Sequence, residues 1–298
     1  MPDSRPIRGA ARQIGPDAAR TLNTHRSPGD VIAAFPRSIW IGLASSHLCL
    51  ACRDGMLGPL TITVSGIERF PVPLNPGQPV HGNDQSLLIG PSVHIDLSTA
   101  SLWQPALFPP PVPFRILESL QQIRRHLPPD VHRNGLGGYA AESPQFPRQN
   151  HTAHHAHAAI ASVRSWLAGG MQSDCSRAQA LLGLGPGLTP SGDDLLGGIL
   201  IALHAIGAGN AARRLWGGLA TAAQSQTHRI SSALLASAAE GCAGKQIHGL
   251  IGSLLEGANL QTHLENLAGM GHSSGWDTLA GLVMVLEMYA LRTLRPAA

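Results

Sequence analysis

Apolar and β-branched residues between residues 31 and 97 come in short pieces broken by Gly and Pro, whereas beyond residue 113 the apolar positions recur at helical spacing. The first stretch predicts strands over Ser38–Leu43, His47–Ala51, Leu60–Val64, Ser86–Ile89 and Val93–Leu97. Turn signals such as Arg53-Asp54-Gly55 and Asn75-Pro76-Gly77 separate the pieces, and connections this short predict mostly antiparallel pairing. Residues 104–113 contain Pro105, Pro109, Pro110, Pro111 and Pro113, a run that fits neither a helix nor a central strand and reads as a stiff linker. Helices are expected over Phe114–His126, His151–Leu167, Asp174–Leu182, Pro190–Ile206, Ala211–Ala223, Thr227–Ala239, Gln246–Leu255, Leu260–Leu267 and Ser274–Thr293. The expected fold class is α+β. A flexible tail (1–25) leads into a small, mostly antiparallel β domain (26–104), then the Pro-rich linker (105–113) and a larger, mainly α-helical domain (114–298).

One pattern is written twice inside the helical part. Ser191-Gly192-Asp193-Asp194-Leu195-Leu196-Gly197-Gly198 and Ser274-Gly275-Trp276-Asp277-Thr278-Leu279-Ala280-Gly281 both read S-G-x-D-x-L-x-G. Each copy opens a run that is apolar nearly all round, which places both helices at the centre of the domain. Glycines inside such helices lower helix propensity and serve close helix packing. The shared Ser and Asp positions read as helix-start chemistry, with Ser274 and Asp277 forming a variant capping box.

Composition narrows the class. Charged residues make up 13% of the chain, against about 25% in ordinary soluble domains, which suggests surface buried in an assembly. The net charge is +3 and Lys245 is the single lysine. No basic run carries interleaved aromatics, so nucleic acid is not expected as a partner. Four cysteines in a chain of 298 residues make no disulfide framework and fit a reducing, cytoplasmic setting. Residues 1–20 lack the apolar core of a secretory signal. The longest apolar runs fall short of the ~20 residues of a membrane span, so no membrane association is expected.

Candidate chemistry starts at the loop Gly183-Leu184-Gly185-Pro186-Gly187-Leu188-Thr189-Pro190, which runs into a helix. Its glycines let main-chain N–H groups approach a ligand, and the helix dipole behind them favours phosphate or carboxylate. The plain structural reading is a Gly/Pro turn with Thr189 as N-cap and Pro190 at the first helical position. Asp193 and Asp194 are more carboxylates than a cap requires, and one of them is free to meet a cation, Mg2+ or an NH2-bearing substrate. Gly271-His272-Ser273-Ser274-Gly275 matches G-x-S-x-G without the preceding strand of a nucleophile elbow, so a helix start is the better reading. Thr227, Arg229 and Ser231 open another helix with hydroxyls and a guanidinium suited to an anionic substrate group. His151, His154 and His155 share a helical face at metal-ligand spacing, yet no Asp, Glu or Cys joins them and a polar surface stripe is the ordinary reading. Cys49 and Cys52 have no second pair and read as small core residues.

Taken together, G-L-G-P-G-L-T-P-S-G-D-D-L-L-G-G (183–198), T-x-x-I-S-x-x-L-L (227–235) and G-x-S-S-G-x-D-x-L-x-G (271–281) resemble the AllH-like family, named after a subunit of oxamate carbamoyltransferase. The resemblance covers the helical half well and the β half only in general character. It implies a role in allantoin-type purine breakdown, where oxalurate and phosphate exchange with oxamate and carbamoyl phosphate. It also implies work beside other subunits, one of them resembling acyl-CoA synthetases. The family motifs map onto Gly185, Gly187, Thr189, Ser191, Gly192, Asp193 and Asp194, then Thr227 and Ser231, then Ser273, Ser274, Gly275 and Asp277. On this reading Gly185–Thr189 holds phosphate or carboxylate, Asp193 orients an amide NH2 or Mg2+, and Arg229 or His272 neutralises charge. The cofactor is left open, with Mg2+ the candidate. Two alternatives stand beside it: a non-catalytic scaffold subunit, and a metal-dependent amidohydrolase built on Asp193 and Asp194. The features the second copy lacks, the Gly185–Thr189 loop and Asp193, are where chemistry is expected first.

Overall fold

A computed structural model describes residues 6–24, 28–43, 46–52, 56–70, 74–131, 133–141 and 150–295. The chain divides into two compact units after Ala106. The turn expected at Arg53-Asp54-Gly55 lies outside the described residues.

The first unit is a closed barrel of eight strands: β1 (Ile7–Ile14), β2 (Gly29–Phe35), β3 (Ser38–Leu43), β4 (Ser46–Ala51), β5 (Thr61–Ser65), β6 (Pro79–Gly82), β7 (Ser86–Ile89) and β8 (Val93–Asp96). The order around it is β5-β4-β3-β2-β6-β7-β8-β1, and β1 closes the ring by pairing antiparallel with β5, Ala10 opposite Ser65. A short ninth strand, β9 (Ser101–Leu102), adds to β1 in parallel. This corrects the expected fold class, with its small, mostly antiparallel β domain: the β half is a closed eight-stranded barrel of mixed pairing. The barrel is mixed, since β4–β5 and β1–β8 pair in parallel while the other neighbours are antiparallel. Most of the expected tail also belongs to it: residues 7–14 are β1, and residues 16–24 form helix α1 (Pro16–Thr24), which buries Ala18, Thr21 and Leu22. Closure has a physical use, because a ring leaves no unpaired strand edge to aggregate. Its interior is filled by Val31, Ile39, Ile41, Leu48, Leu50, Ile62, Leu87, Ile89 and Ile95, among others.

The second unit holds α2 (Pro113–His126), a 3-10 turn (Gly137–Ala140), α3 (His151–Ala168), a 3-10 segment (Ser176–Leu181), α4 (Ser191–Ala205), α5 (Gly209–Gln226), α6 (Arg229–Ala239), α7 (Lys245–Glu256), α8 (Gln261–Ala268) and α9 (Ser274–Leu294). The segment expected as a helix at Asp174–Leu182 is therefore the shorter 3-10 piece. Pro at the first position starts α2, where a missing N–H costs no hydrogen bond. Glycine in the left-handed conformation ends α7 at Gly257. At the centre α4 and α9 pack against each other, as their all-round apolar sequences require. Leu195, Leu196, Ile199, Leu200, Leu279, Leu282 and Leu286 are fully buried there. No helix among the described residues is long and apolar enough to cross a membrane.

Candidate functional site

The two copies of S-G-x-D-x-L-x-G start α4 and α9, and the fold sets these starts side by side. A Cβ at Gly198 would collide with the Thr278 carbonyl oxygen, and one at Gly281 with the Leu195 carbonyl oxygen. Those partners are the equivalent positions of the two motifs, so the contact is reciprocal. Gly192 and Gly275 repeat the relation: each abuts a carbonyl of the segment preceding its own helix, Leu181 for the first and Leu267 for the second. Only glycine allows two backbones this close.

Reciprocity continues in the polar positions, which corrects the capping-box expectation. Ser191 and Ser274 are the first helical residues rather than caps, and neither Pro190 nor Ser273, the residues at the caps, makes a side-chain cap hydrogen bond. Each serine looks across to the other helix start instead. Ser274 Oγ is 3.1 Å from Thr189 Oγ1, and Ser191 Oγ is 3.5 Å from Ser273 Oγ. Asp194 sits near Ser274 and Thr189, Asp277 near Ser191 and Ser273. Six side chains from two helix starts thus form one cluster of hydroxyls and carboxylates.

The three motif carboxylates differ in what they hold. Asp193, 2% exposed, accepts the Gly183 N–H at 2.9 Å on one oxygen and the hydroxyls of Ser231, at 2.7 Å, and Thr227 on the other. Burial pushes its pKa up, against those three bonds. It is a strut that ties the start of α4 to the glycine loop and to α6, so both oxygens are engaged inside the protein. Asp277, fully buried, accepts the Leu136 N–H on Oδ1, while its Oδ2 has no hydrogen-bond partner. Burial raises it to about 6, despite the opposing pull of the Leu136 N–H, the Ser191 and Ser273 hydroxyls and the Gly137 N–H. The Oδ2 of Asp194 is likewise buried without a partner. Burial pushes Asp194 well above the usual carboxylate range, the hydroxyls of Ser274 and Thr189 oppose the rise, and the charges of Asp277 and Asp193 add to it.

Gly183, Gly185 and Gly187 all take positive φ, at 68°, 114° and 97°, so the loop before α4 needs glycine at each. Gly185 rests on Ser191, whose backbone N would lie 2.9 Å from a Cβ there, whereas Gly187 faces open space. Among the described residues, the N–H groups of Gly185, Gly187, Leu188 and Thr189 have no protein acceptor. They stand on the approach to a helix N-terminus, beside the hydroxyl–carboxylate cluster.

Other expected residues lie apart. Arg229 is exposed at the start of α6, whose N-cap is His228, and no hydrogen bond or ion pair joins it to the cluster. His272 is exposed, with Nε2 3.1 Å from Asn134 Nδ2. On α3, His151, His154 and His155 are exposed; the Nε2 atoms of His151 and His155 are 3.2 Å apart, and His154 meets His155 ring edge to face. Among the described residues no three His, Cys, Asp or Glu side chains converge to hold a metal. Cys49 is buried in the barrel and held near 12 by burial, with the neighbouring Cys52 adding to the rise. A cavity of about 340 Å³, lined by Leu167, Met171, Ile206, Tyr289 and Arg292, lies at the far ends of α4 and α9 from the motifs.

Sequence reasoning missed the loop that covers Asp277. A Cβ at Gly135, where φ is 65°, would collide with the Asp277 carboxylate. Asn150 holds this loop: its Nδ2 donates to the Gly135 carbonyl at 2.9 Å, while its Oδ1 caps α3 by accepting the Ala153 N–H at 3.0 Å. The dipeptide Asn134-Gly135 is the turn signal that could have marked it.

Over residues 181–286 the chain matches the family described as oxamate carbamoyltransferase subunit AllH. Over residues 10–102 it matches the AllH family N-terminal domain. The chain belongs to the AllH family, and the first of these stretches contains both motif helices. No solved structure matches it.

Proposed function

We propose that this chain is the subunit of an oxamate carbamoyltransferase that binds a small carbamoyl-, phosphate- or carboxylate-bearing molecule where α4 and α9 begin. The observation that carries the reading is the placement of four N–H groups, at Gly185, Gly187, Leu188 and Thr189, that have no protein acceptor among the described residues, next to a cluster rich in acceptor oxygens. Carbamoyl phosphate and oxamate both pair an anionic end with an NH2 group. The loop N–H groups suit the anionic end, with the α4 dipole behind them. The hydroxyl oxygens of Thr189, Ser191, Ser273 and Ser274 suit the NH2 end.

Direct carbamoyl transfer requires two reactants held in line and stabilisation of the oxyanion that develops, and no protein nucleophile. Rigid helix starts locked by glycine contacts supply the alignment. Asp193, engaged by three internal bonds, acts by holding the loop rather than by touching substrate. In this reading the enzyme serves cytoplasmic purine-nitrogen catabolism, exchanging oxalurate and phosphate with oxamate and carbamoyl phosphate. Partner subunits complete it, one of them acyl-CoA-synthetase-like. The expected outcome in the assembled enzyme is that Gly187→Val, which cannot keep the positive φ of this position and so displaces the loop N–H groups, lowers kcat/KM for carbamoyl transfer by at least ~tenfold, as expected when a positioning element is lost. Unchanged kcat and KM would remove the loop from the site.

A further inference from the structure

We propose that the cluster between Asp194 and Asp277 is a binding site for a small divalent cation of the Mg2+ or Mn2+ class, held by oxygen atoms from both helix starts. Asp277 is fully buried beside the Ser191 and Ser273 hydroxyls, and one of its carboxylate oxygens has no hydrogen-bond partner among the described residues. Asp194, from the other helix, presents a second buried oxygen in the same condition. Around them stand the hydroxyls of Thr189, Ser191, Ser273 and Ser274, linked in two pairs at 3.1 and 3.5 Å. Every side-chain donor atom in the cluster is oxygen, the set that selects hard cations over zinc or copper.

Charge points the same way. Among the described residues the hydrogen bonds to Asp193 and Asp277 come from hydroxyls and backbone N–H groups, and no Arg, Lys or His side chain pairs with Asp193, Asp194 or Asp277. Buried carboxylates without a compensating cation are costly. A dication offsets both free carboxylates at once, which a neutral amide NH2 does not. Mg2+ is held in many sites through one or two protein carboxylates, its remaining positions filled by water and substrate phosphate. Two carboxylates with neighbouring hydroxyls match that pattern, and the ion would face the glycine loop proposed to take the anionic end of the substrate. Cation binding itself does not depend on the carbamoyl-transfer reading; only its use in the reaction does.

The test is an EPR titration of the full chain with Mn2+, after chelator treatment and without any carbamoyl ligand. The expected result is saturable binding of about one Mn2+ per chain, displaced by excess Mg2+, with no coupling to nitrogen nuclei, as an oxygen-only ligand set requires. Asp194→Asn and Asp277→Asn should each weaken binding by at least ~tenfold, the scale of losing a ligand-shell group. The doubly substituted His151→Ala/His155→Ala chain should bind as the parent does, which separates this site from the exposed histidine pair. Absence of saturable binding up to millimolar Mn2+, nitrogen coupling in the bound spectrum, or full affinity in both Asp variants would overturn the proposal. Should an Asp variant fail to fold, the parent spectrum and the histidine variant still decide. Failure here leaves the carbamoyl-transfer reading standing, since that is measured with carbamoyl phosphate and oxamate instead.

Discussion

Gly198 of the first motif packs directly on Gly281 of the second, such that a Cβ at Gly198 would lie 3.2 Å from the Gly281 Cα and collide with the Thr278 carbonyl. This contact fixes the separation of α4 and α9 and so the size of the polar cluster at their starts. Gly198→Ala and Gly281→Ala are each expected to destabilise the chain by about 3 kcal/mol, the cost of forcing extra volume between packed backbones. Gly197 is the control, because a Cβ there meets only Leu235 at 3.9 Å. Gly197→Ala should be neutral or stabilise by up to about 1 kcal/mol through helix propensity. Urea unfolding of the three variants checks the ordering.

Removing the Asp193 carboxylate leaves the Gly183 N–H and the hydroxyls of Thr227 and Ser231 without their acceptor. Asp193→Ala should therefore cost about 2–4 kcal/mol of stability, as broken buried networks do. Hydrogen exchange should quicken at Gly183, the N–H that loses its acceptor. Protection at Gly183 equal to that of the parent would show that the carboxylate does not hold the loop.

Asp277 gives a pH dependence of defined sign. Burial raises its folded pKa from 3.8 to about 6, so the folded chain binds this proton more tightly than the unfolded chain does. Its favourable contribution is complete below the unfolded value and is lost as pH rises through the folded one. That rise in pKa corresponds to roughly 3 kcal/mol. In chelator-treated protein, the Asp277 share of stability should be lost between about pH 4 and 6, with Asp193 and Asp194 acting in the same direction. Asp277→Asn should flatten that slope. Denaturant unfolding across the range decides, and a slope unchanged in the variant would assign it to other groups.

Asn150 bonds both the Gly135 carbonyl and the start of α3. Asn150→Ala should cost about 1 kcal/mol for the cap alone, with further loss from the freed loop. The readout that singles out the clamp is faster exchange of the Leu136 N–H, which donates to Asp277.

How much of this was legible in the sequence depended on whether side chains or backbone carried the signal. The motif helices could be read because Leu195–Leu203 and Leu279–Leu286 are apolar on every face, a pattern with one structural meaning. Barrel closure could not. The closing strand, Ile7–Ile14, has only Ala11 buried and joins its neighbours through main-chain bonds, so it leaves no hydrophobic alternation to find. Its parallel pairing with β8 links segments over eighty residues apart, which short-connection reasoning never considers. Around the helix starts, the repeated motif named residues that the fold brings together and misread their bonds. A serine three positions before an aspartate reads as a capping box, and nothing local reveals that Ser191 faces Ser273 on another helix. Asp193 attracted attention as the unmatched carboxylate, yet its acceptors are spent on Gly183, Thr227 and Ser231. The free oxygens belong to the matched pair, Asp194 and Asp277.

The central claim, that the α4 and α9 starts bind a small carbamoyl-bearing anion, is tested most directly by calorimetric titration of the full chain with carbamoyl phosphate, oxamate and oxalurate, alone and with its partner subunits. Saturable binding of at least one of them is expected, weakened by at least ~tenfold in Gly187→Val. No heat at millimolar ligand in either setting, or binding untouched by Gly187→Val, would contradict it.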